Sequence, residues 1–192
     1  MLKSASNHWG SLAKFFHWTI VLLILAQGTI GLIMVELPKT PRIIPVFTLH
    51  KSLGLTILAL AVLRLTWRAF DPRPAEPADV PHLQVQLARW GHALLYALLF
   101  AVPLTGWWFD SLSGLRPLYF FGLFEVPHLV APNKALKDFA SLAHETLFWL
   151  LITVATGHAV IALVHQFTRR NNILGRMWPN WLQRRAVIRG GS

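Results

Sequence analysis

The sequence predicts an all-α membrane protein, a four-transmembrane-helix antiparallel bundle, from its composition and its apolar segments. Hydrophobic residues make up 54% of the 192 residues and charged residues only 14%, whereas a soluble domain is about one quarter charged. Four segments reach the ~20 mainly apolar residues that cross the hydrocarbon core of a bilayer. They are residues 15–35, 46–65, 90–109 and 142–165. A chain of this length is expected to form one membrane domain over residues 1–192.

The first two segments carry features that could have argued against a span. The first segment follows a polar stretch, but it is too long for a signal-peptide core and lacks a small-residue cleavage pattern, so it is expected to stay as an anchor. The second segment contains Lys51 and Arg64. Both lie near its ends, where long basic side chains reach the headgroups.

The connections between the second and third spans and between the third and fourth spans differ in character. Residues 68–89 are rich in proline and charge, which predicts an extended polar loop. Residues 110–138 contain an aromatic run at 118–124 between two prolines. That run is predicted to lie at the membrane interface, either as a short buried lid or as a binding segment.

The basic residues are distributed unevenly across the predicted bundle. Twelve of the 18 lysines and arginines fall on the side that holds both termini and the second loop, which predicts that both termini are cytoplasmic. The basic tail at 169–192 supplies half of them and is interpreted as a topology signal. The net charge of +10 therefore does not indicate nucleic-acid binding.

The absence of cysteine limits the possible chemistry. With no cysteine in the chain, disulfides, iron–sulfur clusters, covalently attached c-type haem and thiol catalysis are excluded. Any metal must bind to nitrogen or oxygen.

Histidines are the candidate functional residues, because ionisable side chains inside a bilayer are costly and usually functional. Three of the nine histidines, His8, His82 and His128, fall in polar segments. The other six lie in or at the spans: His17, His50, His92, His144, His158 and His165.

The depth of each histidine predicts two pairs. His144 and His158 are 14 residues apart, so they share a helix face and lie ~21 Å apart along the axis. The first helix runs inward to outward, which places His17 at inner depth, and the second runs back, which places His50 at outer depth. His17 is therefore predicted to meet His158, and His50 to meet His144.

Two neutral imidazoles on opposite sides of an iron make a six-coordinate haem suited to electron transfer. Small residues one turn from the ligands, such as Gly54 beside His50, leave room for a flat ring. Polar packing contacts or a haem-free proton relay remain as alternatives. Zinc fits less well, because neither level offers the further carboxylate or thiolate of a tetrahedral site.

Short motifs along nearly the whole chain resemble the bacterial cytochrome b561 family of di-haem membrane cytochromes. These motifs are Phe16-His17-Trp18, His50-Lys51-Ser52-Leu53-Gly54, Arg64-Leu65-Thr66-Trp67-Arg68, Gly91-His92, Pro103-Leu104-Thr105-Gly106, His144-Glu145, His158, Asn172 and Arg176-Met177. The resemblance implies two haem b groups in a bacterial inner membrane, with axial ligands from the first, second and fourth helices. The matching ligand positions are His17, His50, His144 and His158.

The resemblance leaves secondary roles for other polar residues near the haems. His92 lies at inner depth and is expected to hydrogen-bond a haem propionate or a quinone, with a packing contact as an equal alternative. Arg64 and Arg68 are candidates for neutralising the inner propionates, although positive-inside placement also explains them.

The expected electron acceptor is ubiquinone, and the expected donor is a small anion. His165, helped by Trp9, is the candidate quinone-binding residue at the inner end. Lys51 belongs to a predicted cationic rim at the outer end, which would attract an anionic donor such as superoxide. The alternatives are a haem-b anchor subunit that relays electrons from a periplasmic dehydrogenase or hydrogenase, and a haem-free transporter.

Overall fold

The four predicted spans are four long helices in a computed structural model of the chain, which describes residues 1–5, 8–72, 74–75, 80–169 and 173–178. The helices are α1 (Ser11–Glu36), α2 (Ile44–Phe70), α3 (His82–Ser113), α4 (Lys134–Val164) and the short α5 (Ile173–Met177). A 3₁₀ turn, Pro41–Ile43, precedes α2, and a π-helical turn, His165–Arg169, continues α4. The first four helices are long and apolar enough to cross a membrane, so the four-helix prediction is confirmed.

The helices extend beyond the apolar segments that predicted them. The third and fourth begin at His82 and Lys134 rather than near residues 90 and 142, because an apolar window detects the lipid-facing part of a helix and not its continuation among the headgroups. The predicted extended loop at 68–89 is therefore too long. It shrinks to the segment between Phe70 and His82, of which Arg73 and residues 76–79 lie outside the described part. Residues 170–172, including Asn172, and residues 179–192 of the basic tail also lie outside it.

Consecutive helices pack against each other, α1 on α2, α2 on α3 and α3 on α4. A small apolar core of Ile20, Ile57, Ala61 and Leu99 joins α1, α2 and α3. Along α1, α2 and α3 these residues lie between the depths that were predicted for the inner and the outer histidines. Many of the large apolar side chains face outward instead, as lipid contact requires.

The aromatic run after α3 forms a hairpin at the outer end. Strands β1 (Leu118–Phe120) and β2 (Phe124–Val126) pair antiparallel, and Phe121 and Gly122 turn the chain with positive φ angles. Leu118 and Val126 are buried, whereas the tip residue Leu123 is 77% exposed. The segment is thus anchored at its base and apolar at its exposed tip.

Two fully buried serines hold the outer connection against the helices. Ser52 Oγ on α2 accepts a hydrogen bond of 2.8 Å from Phe121 N and donates to the Thr48 carbonyl at 2.8 Å, with the Tyr119 carbonyl as a longer contact at 3.3 Å. Ser111 Oγ on α3 accepts from Leu129 N at 3.0 Å. Each serine satisfies a backbone N–H that would otherwise lack a partner away from water.

The inner end is closed by the N-terminal segment and α5. Ser4 donates to the carboxylate of Asp71 through both its backbone N–H and its hydroxyl, and Ser4 and Asp71 are buried. Trp18 Nε1 donates to the Met177 carbonyl at 2.8 Å, which attaches α5 to α1. These contacts place Trp9 at the inner end, where the Arg68 guanidinium lies 5.4 Å from its ring centroid.

We expect Ser52→Ala to destabilise the outer hairpin, because it leaves the Phe121 N–H without an acceptor in a buried place. Such a loss costs about 1–3 kcal/mol, and it should be measured as a lower midpoint of thermal unfolding in detergent and faster proteolysis of residues 118–126. Ser113→Ala is the matched control, since the Ser113 hydroxyl bonds the Phe109 carbonyl of its own helix. Equal losses in both variants would contradict the prediction.

Candidate haem-binding site

Each of the four long helices contributes two positions that are 14 residues apart and lie at two levels of the bundle. The outer level contains Gly31, His50, Gly106 and His144, and the inner level contains His17, Arg64, His92 and His158. The inner level is the one nearer the N-terminus. Within each level, contacts link residues from different helices. The repeated spacing therefore corresponds to a real layering of polar residues and glycines.

The outer pair, His50 on α2 and His144 on α4, lies at the distance that one iron would require. Their ring centroids are 6.4 Å apart, and their planes are nearly perpendicular at 89°. Two imidazoles that bind one metal through nitrogens about 2 Å from it have centroids roughly 6 Å apart. The separation of the outer pair therefore matches the one that two histidine ligands of a single iron need.

The His144 ring is oriented by α3. Its Nδ1 lies 2.9 Å from the Val102 carbonyl and 3.4 Å from Thr105 Oγ1. A carbonyl only accepts hydrogen bonds, so Nδ1 carries the proton. The other nitrogen, Nε2, then has its lone pair free for a metal.

Two glycines make room for the outer rings. A Cβ added at Gly106 would lie 2.9 Å from His144 Cε1, and one added at Gly31 would lie 3.0 Å from His50 Cε1. The space for the two imidazole rings thus comes from α1 and α3. At Gly54, which was predicted to leave room for a macrocycle, an added Cβ would meet the side chain of Gln27 at 3.4 Å.

Gln27 is a site residue that the sequence reasoning missed. Its Nε2 donates to the His50 carbonyl at 2.7 Å. Its Oε1 and the Nδ1 of His50 are buried atoms with no hydrogen-bond partner among the described residues. An amide in the middle of an apolar span was the available signal, since such groups are as costly in lipid as histidines.

The inner pair, His17 on α1 and His158 on α4, matches the outer one in separation. The ring centroids are again 6.4 Å apart, at an interplanar angle of 75°. The His92 ring from α3 lies closer to His158, at 5.2 Å, which is shorter than the spacing that two ligands of one iron need. His92 is therefore at inner depth, as predicted, but the His17 and His158 rings are the better spaced pair.

Arginine side chains surround the inner pair. Arg64 Nη2 lies 3.2 Å from His17 Nδ1, and its guanidinium stacks over Tyr96 at 5.4 Å. Arg64, Arg68, Tyr96 and Trp9 line a cavity at the inner end, together with Trp67. The buried Nε1 of Trp67 has no acceptor within the described part of the chain, so the cavity offers several hydrogen-bond donors to an acidic or carbonyl group.

The two predicted quinone-binding residues lie in different surroundings. Trp9 lines the inner cavity. His165 begins the π-helical turn after α4, and the described residues that line the cavity do not include it. The Nδ1 of His165 is buried and finds no partner among the residues described.

Lys51, predicted to belong to a cationic rim, forms an ion pair with Asp110 of α3. The two side chains are 27% and 11% exposed, respectively. Because the carboxylate touches the ammonium group, their opposite charges largely cancel each other's field at a distance from the pair. The exposed basic residues at the outer end are thus others, namely Lys39, Arg42, Arg116 and Lys134.

The chain is similar to a known protein family and to several named proteins. The family described as prokaryotic cytochrome b561 matches residues 8–180. Cytochrome b561 homolog 2 of Escherichia coli (strain K12) is 32% identical over 178 residues, which cover 89% of this chain and 91% of that protein. A protein of Yersinia pestis named probable superoxide oxidase CybB is 30% identical over 166 residues, with 85% and 91% coverage. Cytochrome b561 homolog 1 of Escherichia coli (strain K12) is 27% identical over 174 residues, with 90% and 98% coverage.

We expect Gly106→Ala to weaken haem binding at the outer level, because the added methyl group would push the His144 ring away from its position. Disturbing the surroundings of a metal-binding histidine typically weakens metal affinity about 10-fold or more. Haem content per protein, measured after purification, checks this. Gly91→Ala on the same helix is the control, since an added Cβ there meets nothing within 4 Å of the described structure. An unchanged haem content in Gly106→Ala would contradict the expectation.

Proposed function

Because the chain belongs to the prokaryotic cytochrome b561 family, whose members are membrane electron-transfer proteins that bind haem b, we propose that it holds two haems and conducts electrons to quinone. His17 and His158 would hold the iron of the inner haem. His50 and His144 would hold the iron of the outer haem. Bound haem b supplies one-electron redox chemistry at each level.

One observation carries the proposal: the same 6.4 Å separation between histidine rings occurs twice, once at each level. The two levels are joined by the 14-residue step on α4, which is ~21 Å along the helix axis. A chance set of polar histidines would not give the same spacing twice. Two levels at this separation suit transfer from one side of a bilayer to the other.

The residues around the inner pair support carboxylate binding. Because a guanidinium only donates, its contact at 3.2 Å makes His17 Nδ1 the acceptor. Iron binding through His17 Nε2 requires Nδ1 to carry the proton, and Arg64 must then turn toward another acceptor. Haem propionates are that acceptor in our proposal, with Arg68 as the second cation.

His92 contributes to the same region. Its ring hydrogen-bonds the backbone of Ala88, which leaves its other ring nitrogen for a propionate or a quinone. His92 therefore supports the inner haem without binding its iron.

Ubiquinone is the proposed acceptor, and the residues that line the inner cavity mark its proposed binding region. The Trp67 N–H and Arg68 can donate to a quinone carbonyl, and Trp9 offers an aromatic face. His165, two turns beyond His158 on the same side of α4, remains a candidate for quinone protonation outside that cavity. Two electrons and two protons convert one quinone to quinol.

Superoxide is the proposed donor at the outer end. Two superoxide anions release two molecules of oxygen and the two electrons that one quinone requires. The relative from Yersinia pestis carries the name probable superoxide oxidase. In this chain the exposed Lys39, Arg42, Arg116 and Lys134 at the outer end support attraction of a small anion.

The outer hairpin favours a second candidate, a haem-b subunit that docks a periplasmic dehydrogenase or hydrogenase. Phe121, Leu123 and Phe124 expose their side chains together at its tip, and a contiguous apolar patch often marks a contact surface. This candidate predicts fast electron entry only with the partner present. The purified chain should then react slowly with superoxide.

We expect the purified protein to contain two haems, and His144→Ala and His158→Ala to contain one each. Removing one of two axial ligands weakens that site while the other level keeps its own pair. The haem to protein ratio and the reduced-minus-oxidised spectrum measure this. His128→Ala, in the exposed outer loop, is the control. Loss of both haems from one variant, or of neither, would count against the assignment.

We expect superoxide to reduce the oxidised protein rapidly in stopped-flow mixing, with a rate constant on the order of 10⁸ M⁻¹s⁻¹ at low salt. The rate should fall as ionic strength rises, because salt screens the exposed basic residues. Quinol formation from added ubiquinone should match half of the superoxide consumed. A slow reaction with no salt dependence would sink the superoxide donor and favour the docked subunit.

A further inference from the structure

The ion pair between Lys51 and Asp110 lies directly beside the outer histidine level. Lys51 follows His50 on α2, and Asp110 lies one helical turn beyond Gly106, the glycine against which His144 packs. The pair therefore joins α2 and α3 next to the outer level: Lys51 is one residue further inward than His50 along α2, and Asp110 is one turn further outward than Gly106 along α3.

The pair is enclosed rather than a solvated surface contact. Asp110 is 11% exposed, and its Oδ2 is buried with no hydrogen-bond partner among the described residues, while Lys51 bonds Oδ1. Water screens such charges poorly. Each charge would act strongly on the outer level if its partner were removed.

We propose that Asp110 is an electrostatic gate residue that masks Lys51 beside the outer haem. By holding the ammonium group, the carboxylate keeps the charge beside the haem close to neutral. An anionic donor at the outer end must compete with this carboxylate to reach Lys51. Asp110 thereby sets both the reduction potential of the outer haem and the access of anions to it.

The proposal rests on the outer haem of the proposed function and deepens it. In this proposal the Lys51 ammonium group can attract an anion only when Asp110 releases it. The sequence had predicted Lys51 as a member of the cationic rim. Asp110 is accordingly a positioning residue that acts through Lys51.

Three variants of the haem-loaded protein test the gate. Asp110→Asn leaves Lys51 unmatched, so the midpoint potential of the outer haem should rise, because a nearby cation favours the added electron. Lys51→Met leaves the carboxylate unmatched, so the potential should fall. The expected change in the reduction equilibrium is about tenfold in each direction, which is 59 mV for one electron. The double variant Lys51→Met with Asp110→Asn should return close to the wild-type value.

Redox titration followed by absorbance gives the potentials, and the component that disappears in His144→Ala identifies the outer haem. Asp138→Asn is the matched control, since it removes an exposed carboxylate at the start of α4 and should shift neither haem. The rate of reduction by superoxide should rise in Asp110→Asn, with a steeper dependence on salt.

The outcomes separate this inference from the proposed function. If His144→Ala removes no haem component, the outer haem assignment itself fails. If the outer component is present but both single variants leave its potential unchanged, or shift it in the same direction, the gate is overturned alone. A double variant whose outer-haem potential equals that of either single variant would also overturn the gate. The double variant keeps the gate testable if one single variant folds poorly.

Discussion

The separation of paired imidazole rings across the bundle is the constraint on which the rest of the structure depends. Polar rings are costly in lipid, so the paired histidines lie close to each other and are held by groups of the surrounding helices. The ring centroids are 6.4 Å apart at both levels. At the outer level, Gly31 and Gly106 leave space for the rings, and they come from the two helices that contribute no outer histidine.

The two levels use this geometry differently. The outer level has glycines beside its histidine rings and a fixed tautomer at His144. The inner level has Arg64 and His92 in the equivalent places, which adds charge and hydrogen-bond donors. An apolar core that includes Ile57 and Leu99 lies between the levels. Polar side chains at both levels and apolar side chains between them suit a protein that passes electrons and not ions.

Buried polar contacts help to close both ends of the bundle. Ser52 holds the hairpin at the outer end, and Asp71 holds the N-terminal segment at the inner end. Lys51 and Asp110 add an ion pair beside the outer rings. Helices in lipid gain little from burying apolar groups against each other, so directional polar contacts fix the positions of the connections and of the site.

The sequence by itself determined the four spans, the two depths and the histidine pairs, because apolar length and the helical rise convert residue number directly into depth. It could not determine which glycines face the rings, that Gln27 bonds the His50 carbonyl, or that Asp110 neutralises Lys51. Those contacts join residues from different helices. They depend on the rotation of each helix about its own axis, which packing alone decides.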